Sequence, residues 1–194
     1  MEHMEYPLSQ LRKYHKLSDE FISDLKTRIR NIEAPKNSTL LLKGDICRDM
    51  YLIEKGMLIC YDFKPETGEK YCAWLLSEGD FVTSVDSFNN QIPSTQTIIT
   101  HTKSLLWAIT KQDQDELTEN HREFAAIRLK LNEIYNGRGR EMDTKGKWPK
   151  EQFYEWLIYK YPYIAKATKV AQAHLLGISR DKLYEILKNR SEKK

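Results

Sequence analysis

The clearest chemical pattern in this 194-residue chain lies near its end, in residues 170–190, VAQAHLLGISRDKLYEILKNR. Ser179, Arg180, Asp181, Lys182 and Lys188 there are of types that suit a nucleic acid. A guanidinium such as Arg180 forks onto the O6/N7 edge of guanine or onto a phosphate, and Lys182 and Lys188 suit phosphates. Asp181 can accept from a cytosine amino group, while Glu185 repels phosphate unless it does the same. Catalytic patterns are lacking. His3, His15, His101, His121 and His174 are scattered, with only His101 in a strand-like stretch, so the His-x-His plus Glu set of a metal-dependent jelly roll is not formed. There is no G-x-S-x-G, P-loop or H-E-x-x-H. No enzymatic activity and no metal are expected. Cys47, Cys60 and Cys72 are isolated, with no CxxC pair, and read as reduced thiols packed as small hydrophobes.

The elements around the basic cluster explain how it would be held. Val170, Ala173 and Leu176 have helical spacing, Gly177 breaks the pattern, and Leu183, Ile186 and Leu187 resume it. Gly177 can take the positive φ that closes a helix. Ser179 can cap the next helix, with Ile178 and Leu183 as a hydrophobic staple. Two short helices on a tight glycine turn form the helix-turn-helix that places its second helix in the major groove, or else an ordinary αα-corner. Charge bears on that choice. From residue 145 onward there are 12 Lys and Arg against 5 Asp and Glu, whereas the first 144 residues hold 19 against 23. The positive charge therefore sits where a phosphate-binding module needs it.

Earlier in the chain, residues 8–32 read as helical, with Leu11, Leu17, Phe21, Leu25 and Ile29 in register and a helix start at Ser18. Pro35 ends that pattern. Short β runs follow at 39–43, 50–55, 57–63, 70–76, 81–85, 95–100 and 104–109, separated by glycine turns, which reads as a sandwich or jelly roll. Pro65-Glu66-Thr67-Gly68 is a hairpin turn. Beyond residue 110 a long helix is expected. Its residues Phe124, Ile127, Leu131 and Ile134 step by 3, 4 and 3, a seam that fits either a helix on its own domain or a dimer coiled coil. Gly137 and Gly139 flank Arg138 and weaken the helix there. Phe153, Trp156, Leu157 and Tyr161 make a further helix amphipathic, and Pro162 stops it.

In this order the chain resembles the cAMP receptor protein/FNR (Crp/Fnr) superfamily of bacterial transcription regulators. The carriers are Lys43-Gly44-Asp45, Tyr51-Leu52-Ile53-Glu54-Lys55-Gly56, Gly68-Glu69-Lys70, Leu76-Ser77-Glu78-Gly79-Asp80-Phe81, and Ala173-His174-Leu175-Leu176-Gly177-Ile178-Ser179-Arg180-Asp181-Lys182-Leu183. The resemblance implies an α+β architecture. A cyclic-nucleotide-binding-like β-roll with an N-terminal helix would occupy 1–112, a dimerisation helix and hinge 113–146, and a helix-turn-helix DNA-binding domain 147–194. It also implies a homodimer through Phe124, Ile127, Leu131 and Ile134, a two-fold symmetric DNA operator, control of RNA polymerase, and a ligand pocket in the roll. In nucleotide-binding members a Gly-Glu carboxylate takes the ribose hydroxyl and an Arg-Ser or Arg-Ala guanidinium takes the cyclic phosphate. The corresponding residues here are Thr83-Ser84 and Ser94-Thr95, so both charged contacts are missing and cAMP or cGMP is not expected. Another small-molecule effector remains open, with Phe81, Thr83, Ser84, Ser94 and Thr95 as lining candidates. Backbone N–H groups from Ser84 to Phe88 could cradle an anion, and Arg138 and Arg140 could face one. Departures in the recognition helix (Glu185 where the pattern has Arg) and the lack of a β-hairpin wing after Arg190 leave an alternative: a ligand-sensing or protein-interaction module that has lost specific DNA binding.

The N-terminus lacks the apolar stretch of a signal peptide, and no run approaches the ~20 apolar residues of a membrane span. A cytoplasmic protein with no membrane partner is expected.

Overall fold

A computed structural model describes residues 4–192; His3 lies outside them. In chain order the elements are α1 (Glu5–Arg12), α2 (Asp19–Arg28), β1 (Arg30–Ala34), β2 (Thr39–Leu41), β3 (Asp49–Lys55), β4 (Met57–Phe63), β5 (Lys70–Ser77), β6 (Phe81–Val82), α3 (Val85–Asn90), β7 (Thr97–Thr100) and β8 (Ser104–Thr110). They continue as α4 (Lys111–Asn120), α5 (Arg122–Lys145), α6 (Lys150–Lys160), a 3₁₀ turn (Pro162–Lys166), α7 (Lys169–Leu176) and α8 (Arg180–Glu192).

The strands form two antiparallel sheets, ordered β1-β8-β3-β6 and β2-β7-β4-β5. Side chains alternate across each strand. Leu58, Cys60, Leu76 and Ile98 of one sheet therefore meet Ile53, Val82, Leu106 and Ala108 of the other. The outer faces are covered as well. Met57, Ile59, Cys72 and Leu75 pack under α6, α7 and α8, against Phe153, Leu157, Leu175, Leu183 and Ile186. Two-sided burial is why β4 opens on the unbroken apolar run Met57-Leu58-Ile59-Cys60. The β3–β4 turn needs Gly56. Its φ is +102°, and a Cβ would lie 2.7 Å from the Lys103 carbonyl oxygen and against the Ser104 hydroxyl.

Residues 8–32 are not one helical stretch. The chain breaks between α1 and α2, and Arg30–Ala34 crosses to pair with β8 as an edge strand. The helical spacing persists because Leu8, Leu11, Phe21 and Leu25, on two different helices, enter one cluster. The polar RNIEA strand has little apolar alternation to betray it. Ser18 does start a helix, accepting the Phe21 N–H at 3.1 Å. At 81–85, only Phe81 and Val82 are strand, and Val85 opens α3.

The seam on α5 turns inward. Phe124, Ile127 and Leu131 are buried against Leu11, Leu17, Phe21 and Leu25 of the same chain, whereas Ile134 is exposed. This corrects the dimer-interface expectation for three of its four residues: their apolar surface is already satisfied by α1 and α2. All three cysteines are free and buried. Burial pushes the Cys60 thiol up to about 12, which makes it a poor nucleophile.

Candidate functional site

Gly177, at φ +65°, closes α7. The Ile178 N–H reaches the Ala173 carbonyl at 3.0 Å and the Gly177 N–H reaches that of His174 at 3.2 Å, which is the Schellman pair of bonds. Two residues later Ser179 caps α8, its hydroxyl accepting the Lys182 N–H at 3.2 Å. The turn thus satisfies five backbone groups, three N–H and two carbonyls, and sets α7 against α8. Leu183 and Ile186 point into the core, so Arg180, Asp181, Lys182, Tyr184, Glu185 and Lys188 are left on the exposed side of α8. The sequence-predicted cluster is therefore brought together on one surface. Two of its members are partly engaged: Ser179 as a cap, and Lys182 in an ion pair whose Nζ lies 2.9 Å from both Glu185 oxygens.

The roll residues expected to line one ligand pocket are brought together only in pairs, not at a single site. Ser84 and Ser94 are buried and satisfy each other, Ser94 Oγ donating to Ser84 Oγ at 2.9 Å. Thr95 is exposed. Of the Ser84–Phe88 amides, that of Phe88 is spent on the Ser84 carbonyl at 2.7 Å, inside the six-residue α3. Phe81 and Thr83 instead border a cavity on the outer side of the β1-β8-β3-β6 sheet.

Arg138 faces a protein carboxylate. Its Nη1 donates to Asp80 Oδ1 at 2.5 Å, and its guanidinium lies over the rings of Tyr135 and Tyr161 at 4.9 and 5.6 Å. Asp80 also accepts the Ser77 N–H at 3.0 Å, and Tyr135 accepts the Phe81 N–H at 2.6 Å. Burial works against the Arg138 charge, but the Asp80 carboxylate beside it more than compensates, so its pKa is raised. Arg140 is exposed and lines an open polar cleft with Glu78, Glu133, Glu141 and Lys145. Sequence reasoning placed Asp80 only as a motif residue. Its role as the counter-ion of Arg138 depends on a turn and a helix 58 residues apart.

Residues 31–121 match the family model of the cyclic nucleotide-binding domain. They are similar to that domain, and the chain as a whole shares the fold of the solved regulators below. The chain resembles a putative transcriptional regulator of the Crp/Fnr family from Eubacterium rectale (16% identity, 91% of this chain and 85% of that one, TM-score 0.68). It also resembles FixK2 from Bradyrhizobium japonicum (8%, 85% and 85%, TM-score 0.72). A third likeness is to CLP of Xanthomonas campestris, a c-di-GMP-responsive global regulator (14%, 91% and 93%, TM-score 0.64). No curated protein is similar enough in sequence to match. The matched region keeps the roll but holds Thr83-Ser84 and Ser94-Thr95 where the nucleotide-binding pattern has its carboxylate and guanidinium. Among the described residues no helix is long and apolar enough to cross a membrane, and no group of three or more His, Cys, Asp or Glu is placed to hold a metal.

Proposed function

We propose that this protein is a DNA-binding transcription regulator in which the roll senses an effector other than cAMP. The observation that carries the reading is the α7–Gly177–α8 unit: a capped turn that presents Arg180, Asp181, Lys182 and Lys188 on one exposed helix face. That unit is read as a helix-turn-helix, with Arg180 as the base-reading residue and the lysines on phosphates. The solved regulators of the same fold support the assignment. The active form is a homodimer on a two-fold symmetric operator, meeting through α5, where Leu129 and Ile134 are exposed. RNA polymerase would be its partner in transcription, and the cytoplasm its compartment.

Gel shifts with the gene's own upstream region at several salt concentrations test this. Arg180→Ala should weaken specific binding by roughly 5- to 150-fold, the range of a lost bidentate base contact. Glu185→Gln should release Lys182 for a phosphate, tightening binding and steepening the logarithmic salt slope by about one. Binding no tighter than to random DNA, together with an inert Arg180→Ala, would refute the reading. It would favour a sensor or protein-interaction module instead.

A further inference from the structure

A second candidate site lies outside the roll, bordered by two of the predicted ligand residues, Phe81 and Thr83, and separate from the basic helix. Between the outer face of the β1-β8-β3-β6 sheet and helices α1, α2, α4 and α5 is a cavity of about 90 Å³. Its walls are mainly apolar, with Leu11, Leu52, Trp107, Phe124 and Leu131 contributing. Val85, Asn89 and Asn132 are lining residues that also reach solvent, and they mark its open side.

Gln114, only 1% exposed, also lines this cavity. Its Oε1 has no hydrogen-bond partner among the described residues, and its Nε2 reaches only the Met50 sulfur at 3.5 Å. A thioether is a weak acceptor, so the amide is under-satisfied at both ends. The polar neighbours do not relieve it. Thr83 Oγ1 is 3.3 Å from the Asp49 carbonyl, and Arg128 Nη1 donates to Thr118 Oγ1 at 2.8 Å. Buried polar atoms in native proteins are satisfied in the great majority of cases, and an orphan calls for an explanation. A resident water needs two to four polar partners, and of the other polar lining residues Thr83 and Arg128 already have theirs, while Asn89 and Asn132 sit at the exposed mouth.

We infer that this cavity is a binding site for a small uncharged apolar molecule bearing one hydroxyl, of about the size of a single aromatic ring. The apolar body fills the space between Leu11, Leu52 and Leu131, and the hydroxyl bonds to the Gln114 amide. A hydroxyl both donates and accepts, so it serves either end of that amide. A charged ligand is disfavoured by apolar walls that leave its charge desolvated. Phe124 and Leu131 belong to α5, so the ligand touches the long helix directly. The inference is independent of DNA binding, because its test uses no DNA.

The test is calorimetry on the full chain with 4-ethylphenol and ethylbenzene, which differ by one hydroxyl. The expected result is one 4-ethylphenol per chain, bound about tenfold more tightly than ethylbenzene, the equivalent of about 1.4 kcal/mol. Gln114→Leu should abolish that preference while ethylbenzene still binds. Leu131→Phe, which fills the space from α5, should weaken both ligands. If the leucine variant does not fold, Gln114→Met serves in its place. The inference is overturned by a lack of 4-ethylphenol binding up to its solubility, by equal affinity for the two probes, or by a preference that survives loss of the amide.

Discussion

Replacing Arg138 by Met removes one half of a buried ion pair and leaves the other. The Asp80 side chain is 8% exposed and that of Arg138 26%, so the pair is largely out of water. Without the guanidinium, the Asp80 carboxylate keeps the Ser77 N–H at 3.0 Å, while the Tyr135 hydroxyl lies a weak 3.5 Å away. Breaking a buried pair by removing one partner costs about 3–5 kcal/mol. Here the exposed quarter of Arg138 lets water reach the carboxylate, so the expected cost is nearer 2–3 kcal/mol. At about 2–4 °C per kcal/mol for a chain of this size, Tm falls by roughly 5–10 °C. The assay is a double-mutant cycle with Asp80→Asn, read by urea denaturation, together with amide exchange along 136–141 of α5. Both single variants should destabilise. The double variant should recover about 2 kcal/mol of the sum, and exchange should speed up in all three. Effects that add to within ~0.5 kcal/mol would refute the claim that this pair holds α5 to the roll.

Two further perturbations follow from the same contacts. Gly137→Ala with Gly139→Ala places a methyl at two mid-helix positions where a Cβ meets nothing within 4 Å. At up to ~1 kcal/mol each, the double variant should gain about 1–2 kcal/mol of stability, and DNA affinity should change if α5 bends there in use. A stiffened helix with unchanged DNA affinity would count against a hinge. His101 links the roll to α7: its Nε2 accepts the Thr168 N–H at 3.1 Å, and burial, with Lys36 nearby, holds its pKa below the usual value. As pH falls below about 6.5 the unfolded chain takes up the proton before the folded one. The contribution of His101 is therefore full above that pH, declines as pH drops through the lower folded pKa, and then levels off. His101→Gln should flatten the stability profile between about pH 7 and pH 5; an unchanged slope would show that another group sets it.

Much of this architecture is legible in the residues themselves. Glycine turns between short apolar runs mark the roll, and Gly177 with Ser179 marks the α7–α8 junction, because positive φ and N-caps restrict which residues serve. What periodicity cannot give is the partner of an apolar face. Phe124, Ile127 and Leu131 have the spacing of a dimer seam, yet they would have the same spacing on any surface, and α1 and α2 take them. The ligand residues suffer a similar limit. Ser84 and Ser94 occupy the motif positions, but their mutual hydrogen bond arises from a loop closure that no local pattern encodes. Gln114 carries no sequence signal at all. A glutamine in KQDQDELTEN reads as a solvated helix face, and only the packing of α4 beneath the sheet makes it buried.

The long helix is where these observations converge, and its two halves are held unequally. In the first half Phe124, Ile127 and Leu131 are buried, and re-exposing each costs about 1.5–3 kcal/mol. Lifting that half from the roll therefore takes of order 5–9 kcal/mol, comparable with or above the ~5.5 kcal/mol of differential binding that inverts a 1:99 equilibrium. In the second half, from Tyr135 onward, the apolar contacts are those of the partly buried Tyr135 and Met142. Polar bonds add to them: Tyr135 on Phe81 and Arg138 on Asp80, with two glycines between and beyond them. An effector thus acts most economically on the second half. A molecule seated beside Leu131 lies within one turn of Tyr135, and Phe81 is shared between the cavity lining and the Tyr135 hydrogen bond. Displacing the Phe81 backbone by even a fraction of an ångström would strain that 2.6 Å bond and the neighbouring Asp80 carboxylate together. A continuous chain of contacts joins the apolar cavity to the end of α6 through Phe81, Tyr135, the Asp80–Arg138 pair and Tyr161.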